Sequence, residues 1–555
     1  MTESKKGTNL MVNLWSMPLR MWATTFASAR TSALYWTGVF QYTRSFLEPF
    51  FIASKSFGEE ESRRLSAQTL ENISYYDHLL ALNLMLAGRA WKSSVDKAFE
   101  FHSREFKRFA VALINTLEGA DEETVDQYMT KEAEALERLL VDYPKAIHDI
   151  EKDYGFHFDN GNYLLIDETE RMFLYQILPI EADVDVRLDR KPILIAHPYV
   201  LGPNILAFLP EERKSYVHAF ANQGIPTYVR IIKDIHSNPA VQMMTGEEDV
   251  LDTKLFSKII VGRHGKRLTL NGVCQGGFIF LAGLLSGEFE DLVDTLIICN
   301  SPIDGTRNDG MKRYIDEVVP RFRSLAYATK RLPNGNRVID GKIMSWVYRL
   351  ESIENEAPLY TYYRDIDQFE EDVRNGVRAI GKTAAAINRW LVYDRTDLPI
   401  AITDLSRFSY TIPISPEGNL PFELFGRRLN LTYINEKGIN FLICYAREDK
   451  LVQPASSLAP LEFVKAEVTE FPEGHAAIFT TWPHPDSEHA LHKRFPNGQR
   501  GPVRFHLDLD QSMQRQFPDN WEELKSAQLT QQEKPREFLG NMANFRKKEV
   551  ESPKS

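Results

Sequence analysis

Gly272-Val273-Cys274-Gln275-Gly276-Gly277 lies between the apolar run Leu268–Leu270 and the helix-like stretch Phe278–Leu285. Its reading decides the fold. A strand that turns abruptly into a helix puts the residue at the turn into a strained conformation, and glycine two places to either side removes side chains that would collide. Gly272 and Gly276 hold those places around Cys274. Gly277 would let the helix pack closely on its strand, and the backbone N–H of Gln275 would face an oxyanion formed beside the thiol. A cysteine in a glycine-flanked turn can also be a small buried hydrophobe in an ordinary bend, so the rest of a triad has to be found.

Two downstream segments supply it. The run Ile439–Tyr445 reads as a buried strand and is followed by Ala446-Arg447-Glu448-Asp449-Lys450. Val468–Phe471 reads as another, followed by Pro472-Glu473-Gly474-His475. An acid after one late strand and a histidine after the next reproduce the order nucleophile, acid, histidine of α/β-hydrolases. The expected catalytic groups are therefore Cys274, Asp449 and His475. The expected fold is α/β, a mostly parallel sheet with helices on both faces and the site at the carboxyl-terminal edge of the strands.

An oxyanion hole needs a second backbone donor from the loop after an early strand. Ile193–Ala196 supplies the strand and His197-Pro198-Tyr199-Val200 the loop. Proline has no N–H, which leaves Tyr199 or Val200.

These segments together resemble the polyhydroxyalkanoate synthase family, with its G-x-C-x-G-G box, an R-E-D-x-x-V-type acid segment and a G-H histidine. Weaker echoes are Pro192–Pro198, Asn300–Asp304, the Asn388-Arg389-Trp390 neighbourhood and a tail with Trp521, Pro535 and Leu539-Gly540. The resemblance runs from about residue 160 to about 545. It implies a cysteine thioester formed from 3-hydroxyacyl-CoA, transfer of the acyl group to a growing polyester, no cofactor beyond the coenzyme A thioester, and a possible homodimer. Intracellular polyhydroxyalkanoate depolymerases are similar in the same box and often carry Val-Cys-Gln there, so hydrolysis or thioesterase action competes. This chain departs from the family in two places. Lys233-Asp234-Ile235-His236 follows the strand Pro226–Ile232 without the usual tryptophan, and Lys450 stands where many members have histidine.

Around this centre the chain reads as three parts. Residues 1–158 form a helical domain, with apolar residues at helical spacing in Leu79–Leu86 and Phe106–Leu117 and an acidic start at Asp121-Glu122-Glu123 for a helix through Leu140. Residues 159–510 form the catalytic domain, in which an insertion at about 305–435 resembles the family's cap. Its Trp346, Tyr348, Tyr360, Tyr362, Tyr363 and Trp390 either line an acyl tunnel or build the cap's own core. Residues 511–555 are a polar tail.

The start of the chain is crowded with aromatics, among them Trp15, Trp22, Trp36, Phe40 and Phe51 in Leu10–Phe57, interspersed with arginines. Such a segment can lie on a lipid or polyester granule surface, or pack within its own domain or on a second subunit. No stretch is long and apolar enough to span a bilayer. A net charge of −11 gives no electrostatic case for nucleic acid. Three cysteines in 555 residues do not make a disulfide framework and suggest a reducing, cytoplasmic setting. Cys299 and Cys444 sit in apolar strands as core residues. His484, His489 and His492 lack the spacing of a metal site and read as a solvated loop.

Overall fold

The computed structural model describes residues 3–64, 71–119, 122–350 and 352–487. The polar tail and its family echoes lie outside these. The chain divides into two compact units, one of residues 1–150 with 349–389 and one of 151–348 with 390–555. Part of the insertion assigned from sequence to the cap, residues 349–389, thus groups with the amino-terminal helices.

The second unit is built on twelve strands: β1 Tyr163–Glu168, β2 Met172–Ile177, β3 Ile193–Ala196, β4 Thr227–Ile232, β5 Leu268–Val273, β6 Val293–Cys299, β7 Thr329–Arg331, β8 Arg337–Ile339, β9 Asn419–Leu424, β10 Arg427–Asn430, β11 Asn440–Ala446 and β12 Glu467–Phe471. Two pairs, β7 with β8 and β9 with β10, are small hairpins; the other eight form one sheet in the order β1-β2-β4-β3-β5-β6-β11-β12. Only β2 runs against its neighbours. The strands β3, β5 and β11 are buried almost throughout, as expected where helices cover both faces, and in β5 the burial extends to Thr269 and Asn271. Strand β1 had no counterpart among the sequence expectations: its apolar run Tyr163–Ile166 is short and leads straight into Asp167 and Glu168, and only Tyr163 of the strand is buried.

Register places the site. Ala196 pairs with Gly272, Val273 with Cys299, Cys299 with Cys444, and Ala446 with Phe471. The parallel strands β3, β5, β6, β11 and β12 therefore end level, and the loops leaving them open on one edge. Local signals set the flanking helices. Thr245 and Glu248 form a reciprocal capping box at the start of Gly246–His264, and Gly265 ends that helix in the left-handed conformation at φ 62°. The helix Gln275–Leu285 is buried on every side, consistent with its uninterrupted apolar sequence.

The first unit contains the long helices Glu3–Arg64 and Glu71–Glu118 with Val125–Glu137 and Pro358–Arg374. Thr124 and Gln127 cap the third of these, which passes into a π-helical turn at Arg138–Asp142. Phe101, Leu136, Leu139, Tyr362, Tyr363 and Ile366 form its core, with Tyr35 and Tyr42 against it. Tyr362 and Tyr363 are thus core residues of the helical unit and do not line a tunnel. Along Glu71–Glu118 a different set faces solvent. Ile73, Leu84, Val95, Phe106 and Leu117 follow one another every eleven residues and are 43% to 73% exposed. Eleven residues make just over three turns, so these side chains share one slowly drifting face. Trp36 and Leu47, and Phe40 and Phe51, repeat that spacing on Glu3–Arg64. Among the described residues no helix is long and apolar enough to cross a membrane.

Candidate active site

Strand β5 ends at Val273 and the helix starts at Gln275, leaving Cys274 to make the whole turn at φ 51°, ψ −121°. A non-glycine residue there costs roughly 1–3 kcal/mol and persists only where its surroundings enforce it. The glycines show how. A Cβ on Gly276 would come within 2.6 Å of the His197 carbonyl oxygen and 2.8 Å of that of Ala196. On Gly272 it would strike the Gly277 backbone, and on Gly277 the Ser301 side chain. Helix and strand therefore approach at backbone distance, and the Cys274 N–H is held by the Cys299 carbonyl at 2.8 Å. The thiol remains partly accessible, while Cys299 and Cys444 are buried and unbridged.

Asp449 leaves the end of β11 in a tight turn. Its Oδ1 accepts the N–H groups of Leu451 at 2.9 Å and Val452 at 2.8 Å, which aims Oδ2 at His475 Nδ1, 2.6 Å away. The Cys274 thiol lies close enough to the same imidazole to influence its charge. The structure thus brings together Cys274, His475 and Asp449. Burial disfavours the imidazolium, but the Asp449 carboxylate, assisted by Cys274, outweighs it and raises the His475 pKa to about 10. The two loops are laced by backbone bonds from Arg447 to Phe471 and from Glu448 to Glu473.

Asn300 was anticipated only as part of a family echo. It sits after β6 at φ 47°, fully buried. Its amide donates to the His475 carbonyl at 2.7 Å and its carbonyl accepts the Ala446 N–H at 2.9 Å. An asparagine just past a buried strand, where a left-handed residue is tolerated, was the signal available in the sequence.

Of the expected oxyanion residues, Gln275 is the first residue of its helix, so its N–H is among those the helix leaves unpaired by its own carbonyls. The Val200 N–H donates to the side-chain carbonyl of Gln275 at 3.2 Å, and the Gln275 amide donates to the Tyr348 hydroxyl at 3.3 Å. Tyr348 is the aromatic of the insertion that reaches the elbow. Trp390 is buried and donates to the Leu201 carbonyl at 2.9 Å, and Thr396 N–H holds the Val200 carbonyl at 2.9 Å. Tyr199 turns its side chain into the core, where the hydroxyl meets Asp249 at 2.5 Å.

The two segments that depart from the resemblance lie at the surface. Lys450 is exposed beside the acid. Asp234 caps its own turn through the His236 and Ser237 N–H groups. His484 lies 3.9 Å from Asp486, and His489 and His492 fall outside the described residues.

No family model matches the chain, and no curated protein is significantly similar to it. Solved structures to which the chain is similar include a carboxylesterase of the thaumarchaeon Nitrososphaera gargenis at 12% identity and a TM-score of 0.32, with 57% of this chain and 92% of that one covered. Another is the thioesterase domain from the curacin biosynthetic pathway, at 11% identity and a TM-score of 0.30, covering 57% and 94%. The esterase domain of a Rhodothermus marinus protein is similar at 13% identity and a TM-score of 0.30, covering 60% and 92%. At that level of likeness it is the strand order and the elbow that define the class. The chain has an α/β-hydrolase fold with an amino-terminal helical region. Within that class it carries cysteine at the elbow, opposite an aspartate-bound histidine.

Proposed function

We propose that the protein is an acyltransferase of the polyhydroxyalkanoate synthase type, acting on 3-hydroxyacyl-CoA. The observation that carries the reading is Cys274 at the strained tip of the elbow, with His475 held by Asp449 at 2.6 Å. Thiolate attack on the thioester carbonyl forms a C–S bond and a tetrahedral oxyanion beside the Gln275 N–H. Collapse breaks the bond to coenzyme A, and His475 gives its proton to the departing thiolate. Cysteine suits this step because one thioester replaces another of similar energy, and the acyl group stays activated. In the second half-reaction His475 takes the proton of a 3-hydroxyl, the alkoxide attacks the acyl-enzyme, an ester forms and the Cys274 thiolate leaves. Water in place of the hydroxyl makes the same triad a depolymerase or thioesterase. No metal or further cofactor is called for.

The eleven-residue apolar stripe and the aromatic start of the chain favour attachment to a hydrophobic surface such as a polyester granule in the cytoplasm. A second copy of the chain on the same face would make a homodimer.

The decisive experiment incubates the purified protein and Cys274→Ala with 3-hydroxybutyryl-CoA and records free coenzyme A and product size together. Polymer made only by the intact protein supports synthesis. Free acid alone moves the protein to the hydrolases. No coenzyme A release from either removes the catalytic reading on this substrate and leaves surface binding.

A further inference from the structure

We propose that Arg230, Asp249 and Tyr199 are positioning residues that hold the loop 197–200 so that its backbone donor meets the oxyanion formed at Cys274. The proposal rests on the acyl-transfer reading above. None of the three is asked to touch substrate through its side chain.

The three side chains bond one another, and of their buried polar atoms Arg230 Nε is left without a partner. Arg230 on β4 and Asp249 on the helix Gly246–His264 are 2% and 1% exposed, with Nη1 of the arginine 2.6 Å from Oδ1 of the aspartate. The other arm, Nη2, donates to the Tyr199 hydroxyl at 2.6 Å, and that hydroxyl donates in turn to Asp249 Oδ2 at 2.5 Å. The guanidinium also lies over the Phe280 ring, 4.8 Å from its centroid. Phe280 belongs to the helix that begins at the elbow. One planar group therefore contacts both the loop 197–200, through Tyr199, and the helix that begins at the elbow, through Phe280.

A stability role alone does not account for this. A fully buried ion pair recovers its desolvation cost only with good geometry, and apolar residues of similar size often serve stability as well or better. What directed bonds provide and apolar packing does not is a fixed position for Tyr199. Its neighbour Pro198 offers no N–H and the Val200 N–H is given to the Gln275 side chain at 3.2 Å, so the donor must come from Tyr199. Val200 is pinned on its far side by Gln275 and Thr396. The tyrosine hydroxyl is the anchor on the near side. Oxyanion donors lose most of their effect when displaced by fractions of an ångström, because their contribution depends on preorganisation.

The test compares two reactions of the same thiol in the full chain. Alkylation of Cys274 by iodoacetamide needs the thiolate and His475 but no oxyanion hole. Acylation by 3-hydroxybutyryl-CoA or by a 4-nitrophenyl ester needs all three. The variants are Tyr199→Phe and the double variant Arg230→Met with Asp249→Leu, which leaves no lone buried charge. We expect alkylation within about twofold of the parent, and a kcat for acylation about ten- to a hundredfold lower at unchanged KM. If the double variant does not fold, Tyr199→Phe, which removes one oxygen, carries the comparison. Acylation that is unchanged, or that falls only in step with alkylation, overturns the positioning role and leaves the acyl-transfer reading standing. A parent protein that alkylates but is never acylated overturns the acyl-transfer reading, and the positioning role with it.

Discussion

Asn300 donates to the backbone carbonyl of His475 at 2.7 Å, tying the end of β6 to the histidine loop across 175 residues of sequence. The same side chain accepts the Ala446 N–H at the end of β11, so one buried amide spaces the acid-bearing and histidine-bearing loops. Asn300→Ala removes both bonds and leaves a buried N–H and a buried carbonyl without their partner. The expected loss is about 1–3 kcal/mol of stability, read from urea midpoints, with lower kcat and little change in KM. Asn300→Gly keeps the left-handed backbone and separates the effect of the bonds from that of φ.

His475 owes its raised pKa to Asp449, and pH should show it. Burial lowers the pKa and the carboxylate raises it, with a net value of about 10 against roughly 6.5 in an unfolded chain. A pKa raised by folding stabilises the protein fully below about 6.5, and that contribution is lost as pH rises through about 10. The stability advantage of the parent over Asp449→Asn should therefore shrink as pH is raised through that range. In the variant, the imidazole resonance followed by NMR should titrate at least one unit lower.

Acylation should respond more steeply than stability to the same residue. Asp449→Ala removes the group that orients the imidazole, and the expected fall in kcat is about 10²- to 10⁴-fold. Burst kinetics with a chromogenic ester would measure it. A fall below about threefold would count against the triad.

Gly276 has backbone on two sides. A methyl group there meets the His197 and Ala196 carbonyl oxygens, neither of which can rotate away. Gly276→Ala should cost about 1–3 kcal/mol in thermal or urea unfolding and slow the thiol's alkylation by opening the elbow. The same change at Gly262, which has nothing within 4 Å of the new atom, should leave both almost unaffected.

The exposed stripe allows the opposite kind of substitution. Leu84→Glu with Phe106→Glu puts charge on a face that makes no core contact, so the fold should lose less than about 0.5 kcal/mol. Sedimentation with polyester particles should fall sharply if that face attaches the protein. Retained sedimentation would remove the stripe from the surface-binding account.

Much of this site could be read from the chain. The glycine spacing around Cys274, the buried runs before Asp449 and His475, and the proline that disqualifies residue 198 as a donor all act over a few residues, and local sterics and hydrogen bonding decide them. Strand β3 falls on the residues expected of it, Ile193–Ala196, since four consecutive buried apolar residues admit little else. The edge strand β1 was not read from the sequence, because a four-residue apolar run such as Tyr163–Ile166 does not by periodicity alone distinguish a strand from a short helical segment. The use of Asn300 and the Arg230–Asp249–Tyr199 network lay equally out of reach. Each depends on parallel strands ending level, and register is set by packing between segments far apart in the chain. The grouping of residues 349–389 with the amino-terminal helices is of the same kind. The amphipathic pattern of Pro358–Arg374 announces a helix with an apolar face, but which surface covers that face is decided only when Tyr35 and Phe101 are brought against it. Sequence by itself determined the turn chemistry and the order of the candidate triad; tertiary structure decided which of these loops meet, because only strand register and packing bring segments far apart in the chain to one edge of the sheet.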